Sequence, residues 1–399
     1  MTTTDVIVIG AGPAGSAAAT VLAERGIDVC VVERERFPRF HIGESLLPAT
    51  LSALDRIGVR LDPDEHQYKA GARFLDESTG QEQTYWFHDT LPGTPDHAYQ
   101  VERALFDGIL ADRAIRAGAR VTFGAKVTDV HVDDDGVSVR TDAGDVRGRY
   151  LLDATGQNAL LARRRRTLRR IHGFGRAAAF LHFSEIPDAA LDEIEPHGNI
   201  QILRTPFGWI WAIPLRGRRL SVGVVAAEGR ISEQDVRDAV ATSDLLRRWT
   251  RGATATEPTL VGDYSYVNTE PHGARFGCIG DAACFLDPVF SSGVTLALLG
   301  ATSAAEAVGA ALARGDEADP DLLADHAARM KLGYRAFYLL IHRFYHTAIF
   351  ENLFFSEDPD PLMRRGLVTM LAGDVWREDN VFQNLLFASR RVDPSREIP

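Results

Sequence analysis

The chain has 399 residues and a formal net charge of −11, and 45% of its residues are hydrophobic and 25% are charged. This composition is typical of a soluble protein with packed cores and argues against extensive disorder. The negative charge argues against nonspecific binding to nucleic acid or to anionic membranes, so we expect small molecules or matched protein surfaces as partners.

The amino-terminal residues predict a soluble, cytoplasmic protein. Residues 1–10, MTTTDVIVIG, lack the basic region and the small-residue cleavage site of a signal peptide. The nearest approach to a membrane span, residues 293–313, is rich in small residues and contains Glu306, so we expect a buried helix there. Three cysteines without metal-ligand spacing predict free thiols in a reducing compartment: Cys30, Cys278 and Cys284.

The first 33 residues predict a βαβ unit. Residues 5–9 are a short β-branched run, residues 14–25 are an alanine-rich helical segment, and residues 29–33 are a second apolar run. A strand, a glycine turn, a helix and a second strand in this order predict a parallel sheet.

The turn of this unit carries the sequence GAGPAG, which is typical of dinucleotide-binding sites. Gly10 permits the tight turn, Gly12 lets backbone amides approach a pyrophosphate, and Gly15 allows the helix to pack closely on the strand. Pro13 and Ala14 open the helix, whose amino terminus favours an anion. The pattern therefore predicts that a diphosphate binds here.

The second strand ends at Glu33, where an acidic side chain accepts hydrogen bonds from ribose hydroxyls in such sites. We include the neighbouring Arg34 in the predicted cofactor site. A second glycine-rich stretch, residues 173–178, follows an arginine-rich segment and not a strand, so we treat it as a chance match.

The middle of the chain predicts mainly β-structure. Residues 119–150 alternate in polarity around turn signals at 133–136 and 142–145, which predicts antiparallel hairpins. A second β-rich block covers residues 177–227. The arginine run at 163–166 is either a solvated surface turn or a docking site for an acidic partner, and we favour the turn.

Helical periodicity dominates from Ser291 onward, with Pro320 and residues 358–361 as predicted helix boundaries. The aromatic helix at residues 334–350 either lines a substrate site or caps the core. His342 and His346 lie one turn apart, but no third ligand has the right spacing, so we predict no metal site.

Lysine is rare in this chain. Of the 44 basic residues only Lys69, Lys126 and Lys331 are lysine. An amine can lose its proton and act as a nucleophile, whereas a guanidinium effectively cannot. Either the lysines are leftovers of an arginine-rich composition, or one of them has a chemical role.

Three further segments resemble FAD enzymes of the para-hydroxybenzoate hydroxylase fold type. YQVERALFDGIL resembles the segment whose arginine, here Arg103, reaches the flavin. YLLDATG, residues 150–156, is similar to the strand motif that follows it in these enzymes. GCIGDAACFLDPVFSSGV resembles the motif whose aspartate, here Asp281, binds the ribityl chain of FAD.

With GAGPAG, these segments imply one bound FAD and an α/β fold. The implied fold has a Rossmann-like FAD-binding domain, an inserted antiparallel sheet domain and a helical carboxy-terminal region. The predicted ranges are 1–75, 100–165 and 262–312 for the FAD-binding domain, 76–99 and 166–261 for the substrate-side sheet domain, and 313–399 for the helical region.

The stretch GWIWAIPL, residues 208–215, indicates which group of these FAD enzymes the chain resembles. Its residues Trp209, Trp211, Ile213 and Pro214 match the W-x-W-x-I-P signature of flavin-dependent halogenases. In a strand, the two indoles and Ile213 share one face. The resemblance implies that they form a wall beside the flavin that keeps organic substrates away. The alternative is an ordinary strand with large core residues.

A second stretch, FLDPVFSSG, resembles the F-x-x-P-x-x-S-x-G pattern of the same family. The matching residues are Phe285, Pro288, Ser291 and Gly293. Backbone amides of Ser292 and Gly293, where a helix opens, are predicted to bind the halide, chloride or bromide. Simple contact with the flavin is the alternative.

The resemblance also gives Lys69 a role. GESLLP at residues 43–48, followed by YKAG, is similar to the halogenase arrangement in which a lysine lies between the flavin and substrate pockets. It implies that a separate flavin reductase supplies FADH2, that hypohalous acid forms at the flavin, and that Lys69 delivers it. Lys69 either forms a haloamine or holds the acid by a hydrogen bond, and both need a desolvated amine.

Phe290 bears on the substrate. Tryptophan halogenases carry at this position a glutamate that assists removal of the ring proton, and phenylalanine cannot accept a proton. The sequence thus resembles halogenases of phenols and pyrroles, whose substrates are often tethered to an acyl or peptidyl carrier protein. The alternatives are a halogenase of a free phenol, a flavin monooxygenase or oxidase, and a flavin-binding subunit without turnover that uses the arginines at 163–170.

Overall fold

The computed structural model describes residues 2–174, 177–206, 208–226, 230–262, 264–346, 355, 360–389 and 398. The strands are β1 (Thr2–Thr3), β2 (Val6–Ile9), β3 (Val29–Glu33), β4 (Gln67–Lys69), β5 (Gly71–Asp76), β6 (Gln81–Trp86), β7 (Ala98–Gln100), β8 (Arg120–Phe123), β9 (Val127–Asp133), β10 (Gly136–Thr141), β11 (Gly144–Gly148), β12 (Tyr150–Asp153), β13 (Leu168–Arg170), β14 (Ala177–Ser184), β15 (Ile200–Thr205), β16 (Gly208–Leu215), β17 (Arg219–Ala226), β18 (Thr254–Ala255), β19 (Thr259–Gly262), β20 (Tyr266–Asn268), β21 (His272–Gly273), β22 (Phe276–Cys278) and β23 (Cys284–Phe285). The helices are α1 (Pro13–Glu24), α2 (Pro48–Arg56), α3 (Arg103–Ala117), α4 (Leu160–Arg165), α5 (Asp188–Ile194), α6 (Glu233–Thr242), α7 (Asp244–Trp249), α8 (Ser292–Arg314), α9 (Ala324–His346), α10 (Pro361–Leu371) and α11 (Val381–Ala388).

A six-stranded sheet confirms the predicted βαβ unit. Its order is β21-β22-β12-β2-β3-β8, and every pair except β21 with β22 is parallel. All residues of β2 and β3 are buried, as expected for a parallel sheet covered on both faces. The strand Arg120–Phe123 joins this sheet in parallel, so the prediction of hairpins from residue 119 was wrong for that first strand.

A four-stranded sheet, β1-β11-β10-β9, contains the predicted hairpins. Antiparallel pairs join β9 to β10 and β10 to β11, with turns at 134–135 and 142–143. The aspartates and glycines at these turns account for the chain reversals, because they tolerate the required backbone conformations.

An eight-stranded sheet covers the other side of the cavity described below. Its main path is β18-β14-β17-β16-β15-β5-β6, with β19 paired to β14. It is antiparallel except for the parallel pair β15 with β5. One face of β16 packs in the main core and the other packs in a second core. The strand β5 pairs in this sheet although the predicted FAD-binding domain extends to residue 75, and the domain boundaries remain a prediction.

The long helix α8 runs through the core, packed on α1 and α2. It is long and apolar enough to cross a membrane, but 67% of its most apolar window is buried in the protein. Pro320 lies between α8 and α9, and α10 begins at Pro361 after the capping residue Asp360, as predicted. The three cysteines are buried and free.

Candidate active site

A cavity of about 690 Å³ lies between the two large sheets. Its floor is formed by residues at the carboxyl ends of the parallel strands β2, β3, β12 and β22, where ligands bind in open α/β sheets. Most of the residues predicted for the cofactor, halide and wall line it: Gly10, Gly12, Pro13, Ala14, Glu33, Arg34, Arg103, Trp209, Trp211, Ile213, Asp281, Phe285, Pro288, Ser291 and Gly293. Four predicted residues do not line it: Gly15, Lys69, Pro214 and Ser292.

The glycine turn forms an open cradle at one end of the cavity. Gly10 has φ +102°, and a Cβ there would lie 2.5 Å from the Ala154 carbonyl oxygen. A Cβ on Gly15 would lie 1.8 Å from the Gly10 oxygen, so α1 packs against the turn as predicted. A Cβ on Gly12 would meet only Arg39 Nη2, at 3.5 Å, which leaves room for a diphosphate over the amino terminus of α1.

Arg39 was missed by the sequence analysis, because no motif marks it. Its Nη2 pairs with Asp107 at 2.9 Å, and its side chain is 12% exposed. Its Nη1 is buried and has no hydrogen-bond partner among the residues that the structure describes. A buried guanidinium N–H left unpaired beside the Gly12 turn fits an anion such as the FAD pyrophosphate.

We expect Arg39→Ala to weaken FAD binding at least about tenfold, since a hydrogen bond to a charged group contributes about 1.5–3 kcal/mol. Titration of the apoprotein with oxidised FAD, followed by flavin fluorescence, measures this. Arg140→Ala, at an exposed hairpin position, is the matched control and should bind FAD like the unaltered protein. Equal affinities for both variants would remove Arg39 from the site.

Glu33 and Asp281 lie on the floor of the cavity. Glu33 accepts hydrogen bonds from the Ala11 amide at 2.7 Å and from the Glu35 amide at 2.9 Å, which fixes the turn. Burial raises the pKa of Asp281 to about 7, and the charge of Arg103 acts in the opposite direction. Both carboxylates face the cavity, which fits hydroxyl groups of a ribose and a ribityl chain.

Arg103 begins α3 and is held rigidly. Its Nε and Nη2 form a bidentate pair with Asp107 at 2.8 and 3.0 Å, and its Nη1 donates to the Ile42 carbonyl at 2.7 Å. Because Asp107 also binds Arg39, one buried carboxylate orients two arginines toward the cavity.

The indole wall predicted from β16 exists. Trp209, Trp211 and Ile213 all line the cavity, while Pro214, on the opposite face of the strand, does not. Trp209 and Trp211 are 1% and 5% exposed, with ring centroids 5.9 Å apart. Trp211 Nε1 donates to Ser221 on β17 at 3.2 Å, which fixes the indole.

The aromatic helix α9 supports this wall. Trp209 Nε1 donates to the Tyr345 hydroxyl at 2.8 Å, and Tyr345 donates to the Asp287 carboxylate at 3.1 Å. Phe344 packs edge-on against Trp209 and against Phe290. The described part of the aromatic helix therefore supports the wall and caps the core, and residues 347–350 lie outside the described residues.

The predicted halide site lies at the start of α8. Ser291 precedes the helix with φ +56°, and Gly293 lines the cavity in its first turn. The first amides of a helix have no acceptor within it, so they are available to an anion. Ser292 is 2% exposed and contributes no side chain to the cavity surface, so only its amide suits the predicted role.

Lys69 differs from the other lysines. It is 1% exposed, whereas Lys126 and Lys331 are exposed. Its Nζ donates to Ser45 Oγ at 2.8 Å and to the Leu46 carbonyl at 2.7 Å. Lys69 does not line the cavity itself, but Ser45 does. Burial lowers the pKa of Lys69 to about 7, so the neutral amine is accessible near neutral pH.

This pKa predicts a pH-dependent stability difference between the protein and its Lys69→Met variant. The pKa in the folded state, about 7, lies below the reference value of 10.5. Below pH 7 the lysine is charged in both the folded and the unfolded state, so the folded protein bears the full free-energy cost of a buried charge. Above it only the unfolded state keeps the proton, so the protein gains up to about 1.4 kcal/mol per pH unit relative to the variant. Urea unfolding of both between pH 6 and pH 9.5 measures the difference, and a constant difference would contradict it.

The structure describes the surroundings of two other sequence features, the histidine pair and the arginine run. The ring centroids of His342 and His346 lie 4.6 Å apart, but the described residues contain no cluster suited to a metal ion. In the arginine run, Arg164 pairs with Asp129 at 2.6 Å and Arg165 pairs with Glu270 at 3.1 Å. These bonds within the chain favour the surface-turn interpretation.

Comparison with known proteins agrees with this geometry. Residues 3–335 match the FAD binding domain family. The chain is 32% identical over 323 residues to a tryptophan 2-halogenase of Chondromyces crocatus, covering 76% of this chain and 61% of that protein. It is 31% identical over 405 residues to a 1H-pyrrole-2-carbonyl-[peptidyl-carrier protein] chlorinase of Pseudomonas fluorescens, covering 93% of this chain and 89% of that protein.

Solved structures are similar over nearly the whole chain. A flavoprotein/dehydrogenase from Cytophaga hutchinsonii has a TM-score of 0.86 and 28% identity, covering 96% of this chain and 95% of its own. The flavin-dependent brominase Bmp2 has a TM-score of 0.84 and 28% identity, covering 97% of this chain and 98% of its own. The cradle, the indole wall and these relatives together show that the chain belongs to the flavin-dependent halogenase family and uses FAD.

Proposed function

We propose that this halogenase makes hypohalous acid in the cavity and delivers it through Lys69 to an electron-rich aromatic ring, a pyrrole or a phenol tethered to a carrier protein. The observation that carries the proposal is the buried amine of Lys69, which is bonded to Ser45 in the cavity wall. An ordinary structural lysine is exposed, and this one is desolvated without a carboxylate partner among the described residues.

Reduced FAD, when bound, would supply two electrons to O2, and the halide would supply the other two as it is oxidised to hypohalous acid. The chain holds this chemistry in place through the glycine cradle, Arg39 and Arg103. Gly293 and Ser292 would orient the halide by their amides. A separate flavin reductase would supply FADH2, because the sequence contains one dinucleotide motif after a strand.

The indole wall supports a separation between the site where hypohalous acid forms and the site where the aromatic substrate reacts. Trp209 and Trp211 bury their large rings against the cavity, and each ring nitrogen is held by a hydrogen bond. A ring substrate is too large to pass such a wall, whereas hypohalous acid is a molecule of a few atoms. The wall thereby favours halogenation over direct hydroxylation of the substrate.

The role of Lys69 has two forms that pH distinguishes. A haloamine forms from the neutral amine, so halogenation would increase as pH rises through about 7. An ammonium that holds hypohalous acid by donating a hydrogen bond would instead lose activity over the same range. Product formation with FADH2 supplied in excess, measured between pH 6 and pH 8.5, separates the two.

Phe290 supports the proposal that the substrate needs no strong base to remove its ring proton. It is 4% exposed and packs among aromatic rings, so no carboxylate occupies this position. Pyrroles and phenols are activated by their own nitrogen or oxygen. The similarity to a pyrrolyl-carrier-protein chlorinase supports a tethered pyrrole, while the similarity to a tryptophan 2-halogenase makes free tryptophan the necessary competitor in the test.

The experiment supplies the protein with FAD, a flavin reductase, NADH, O2 and halide. It offers pyrrole and phenol substrates both free and tethered to a carrier protein, together with free tryptophan. We expect halogenated tethered product at a rate well above that of the free rings. Halogenation of tryptophan alone would overturn the substrate assignment, and equal rates for free and tethered rings would overturn the carrier requirement.

A further inference from the structure

A buried acid and a partly buried base form a pair at the flavin cavity, and neither residue has a role in the proposed function. The Glu44 carboxylate lines the cavity and is 3% exposed. Its two oxygens lie 2.9 and 3.0 Å from Nε2 of His182 on β14. Within the described residues, His182 is the only basic side chain within ion-pair distance of Glu44.

The chain neighbours of Glu44 contact two residues of the proposed function, Arg103 at the flavin site and Lys69. Gly43 has its carbonyl 3.5 Å from Arg103 Nη1, and Ser45 accepts the hydrogen bond of Lys69. Arg103 and Lys69 thus contact the residues on either side of Glu44, and among the described residues neither lies within ion-pair distance of its carboxylate. A carboxylate buried with one neutral or charged imidazole partner is costly, so its presence in a cavity wall indicates a chemical role.

His182 connects this carboxylate to the outside of the protein. Its side chain is 20% exposed. The ring of Phe40, which is 57% exposed, packs edge-on against the imidazole with centroids 5.5 Å apart. The backbone amide of His182 donates to Thr256 Oγ1 at 3.0 Å, which fixes the residue in its strand. The pair therefore spans from the cavity wall to the protein surface.

The reaction of the proposed function consumes one proton from solvent. The balance is FADH2 + O2 + X⁻ + H⁺ → FAD + HOX + H2O, in which two electrons pass from FADH2 to O2 and the halide oxidation supplies the other two. Halogenation of the ring, ArH + HOX → ArX + H2O, neither consumes nor releases a net proton. One proton must therefore reach the cavity from solvent.

We propose that Glu44 and His182 form the relay that carries this proton from solvent into the cavity. His182 takes up a proton on its exposed side and passes one from Nε2 to Glu44, which donates it in the cavity. This inference rests on the proposed function, since the proton demand comes from that reaction. It assigns Glu44 as a proton donor and His182 as the positioning and relay residue behind it.

Three variants separate a relay from a merely structural pair. His182→Gln keeps a donor near Glu44 but cannot pass a proton, so we expect halogenation to fall about 10²-fold or more. His182→Ala leaves a space at the half-buried position, and added imidazole should restore much of the lost rate. Glu44→Gln should lose activity and not respond to imidazole. His131→Ala, at an exposed histidine 3.2 Å from Asp133, is the matched control and should be unaffected.

Two readouts do not depend on turnover. All variants should bind oxidised FAD within about threefold of the unaltered protein, and the ring ¹⁵N resonances of His182 in the apoprotein should move in Glu44→Gln. Full activity of His182→Gln, or the lack of any imidazole rescue of a folded, FAD-binding His182→Ala, would overturn the relay. If the unaltered protein forms no halogenated product, the proposed function fails. Unmoved His182 resonances in Glu44→Gln would independently overturn the contact between Glu44 and His182, and with it the relay.

Discussion

Lys69→Met is expected to lower halogenated product by on the order of 10³-fold or more while FAD binding and oxidation of FADH2 by O2 continue. The variant keeps a long side chain in the buried position but removes the amine that either forms a haloamine or holds hypohalous acid. Because it also removes the cost of burying a charge, we expect it to fold at least as stably below pH 7.

Lys331→Met is the matched control for this substitution, since Lys331 is exposed on α9. It should leave product formation, FAD affinity and stability unchanged. Hypohalous acid that is made but not delivered should appear in solution, where a diketone trap captures it. Undiminished ring halogenation by Lys69→Met would remove Lys69 from the mechanism.

Gly223→Ala should open the indole wall. Gly223 pairs with Trp211 across β16 and β17. A Cβ on Gly223 would lie 2.1 Å from Trp211 Cζ2 and 2.3 Å from its Cη2, so the indole must move. Such overpacking costs about 1–3 kcal/mol of stability. We expect lower ring halogenation and more hypohalous acid trapped in solution, together with a lower unfolding midpoint.

A double-mutant cycle assigns this effect to the contact. Trp211→Phe removes the atoms that the new Cβ meets, so Gly223→Ala should cost much less stability in that background. Gly108→Ala is the control, because a Cβ at Gly108 would meet nothing within 4 Å. Equal costs of Gly223→Ala in both backgrounds would show that the indole is not held by this glycine.

Local patterns predicted much of the fold and the cavity. The glycine turn, the strand alternation of GWIWAIPL and the helix start within FLDPVFSSG each depend on residues close together in sequence, and most of the residues that they predict line one cavity in the structure. Alternation also explains why Pro214 does not line the cavity while Ile213 does. The parallel strand at Arg120–Phe123 was not predictable in this way, because polarity alternation alone does not tell a parallel partner from an antiparallel one.

Residues that act through long-range contacts could not be predicted. Arg39 reaches the glycine turn because Asp107, far along the chain, orients it. Tyr345 on α9 forms a hydrogen bond with Trp209, and His182 pairs with Glu44 although 138 positions separate them in the sequence. Nothing in the local sequence around these residues marks the contact. The rarity of lysine did not predict the burial of Lys69 either. The family resemblance implied a desolvated amine, and the surroundings of Lys69 in the fold explain it.

The central claim is that this chain halogenates an aromatic ring and does not hydroxylate it. The most direct test is the mass spectrum of the tethered pyrrole or phenol after reaction with the protein, FAD, a flavin reductase, NADH, O2 and bromide. We expect a product that carries the isotope doublet of bromine and whose formation depends on Lys69. A product that has gained only oxygen, with no bromine doublet under any halide, would contradict it.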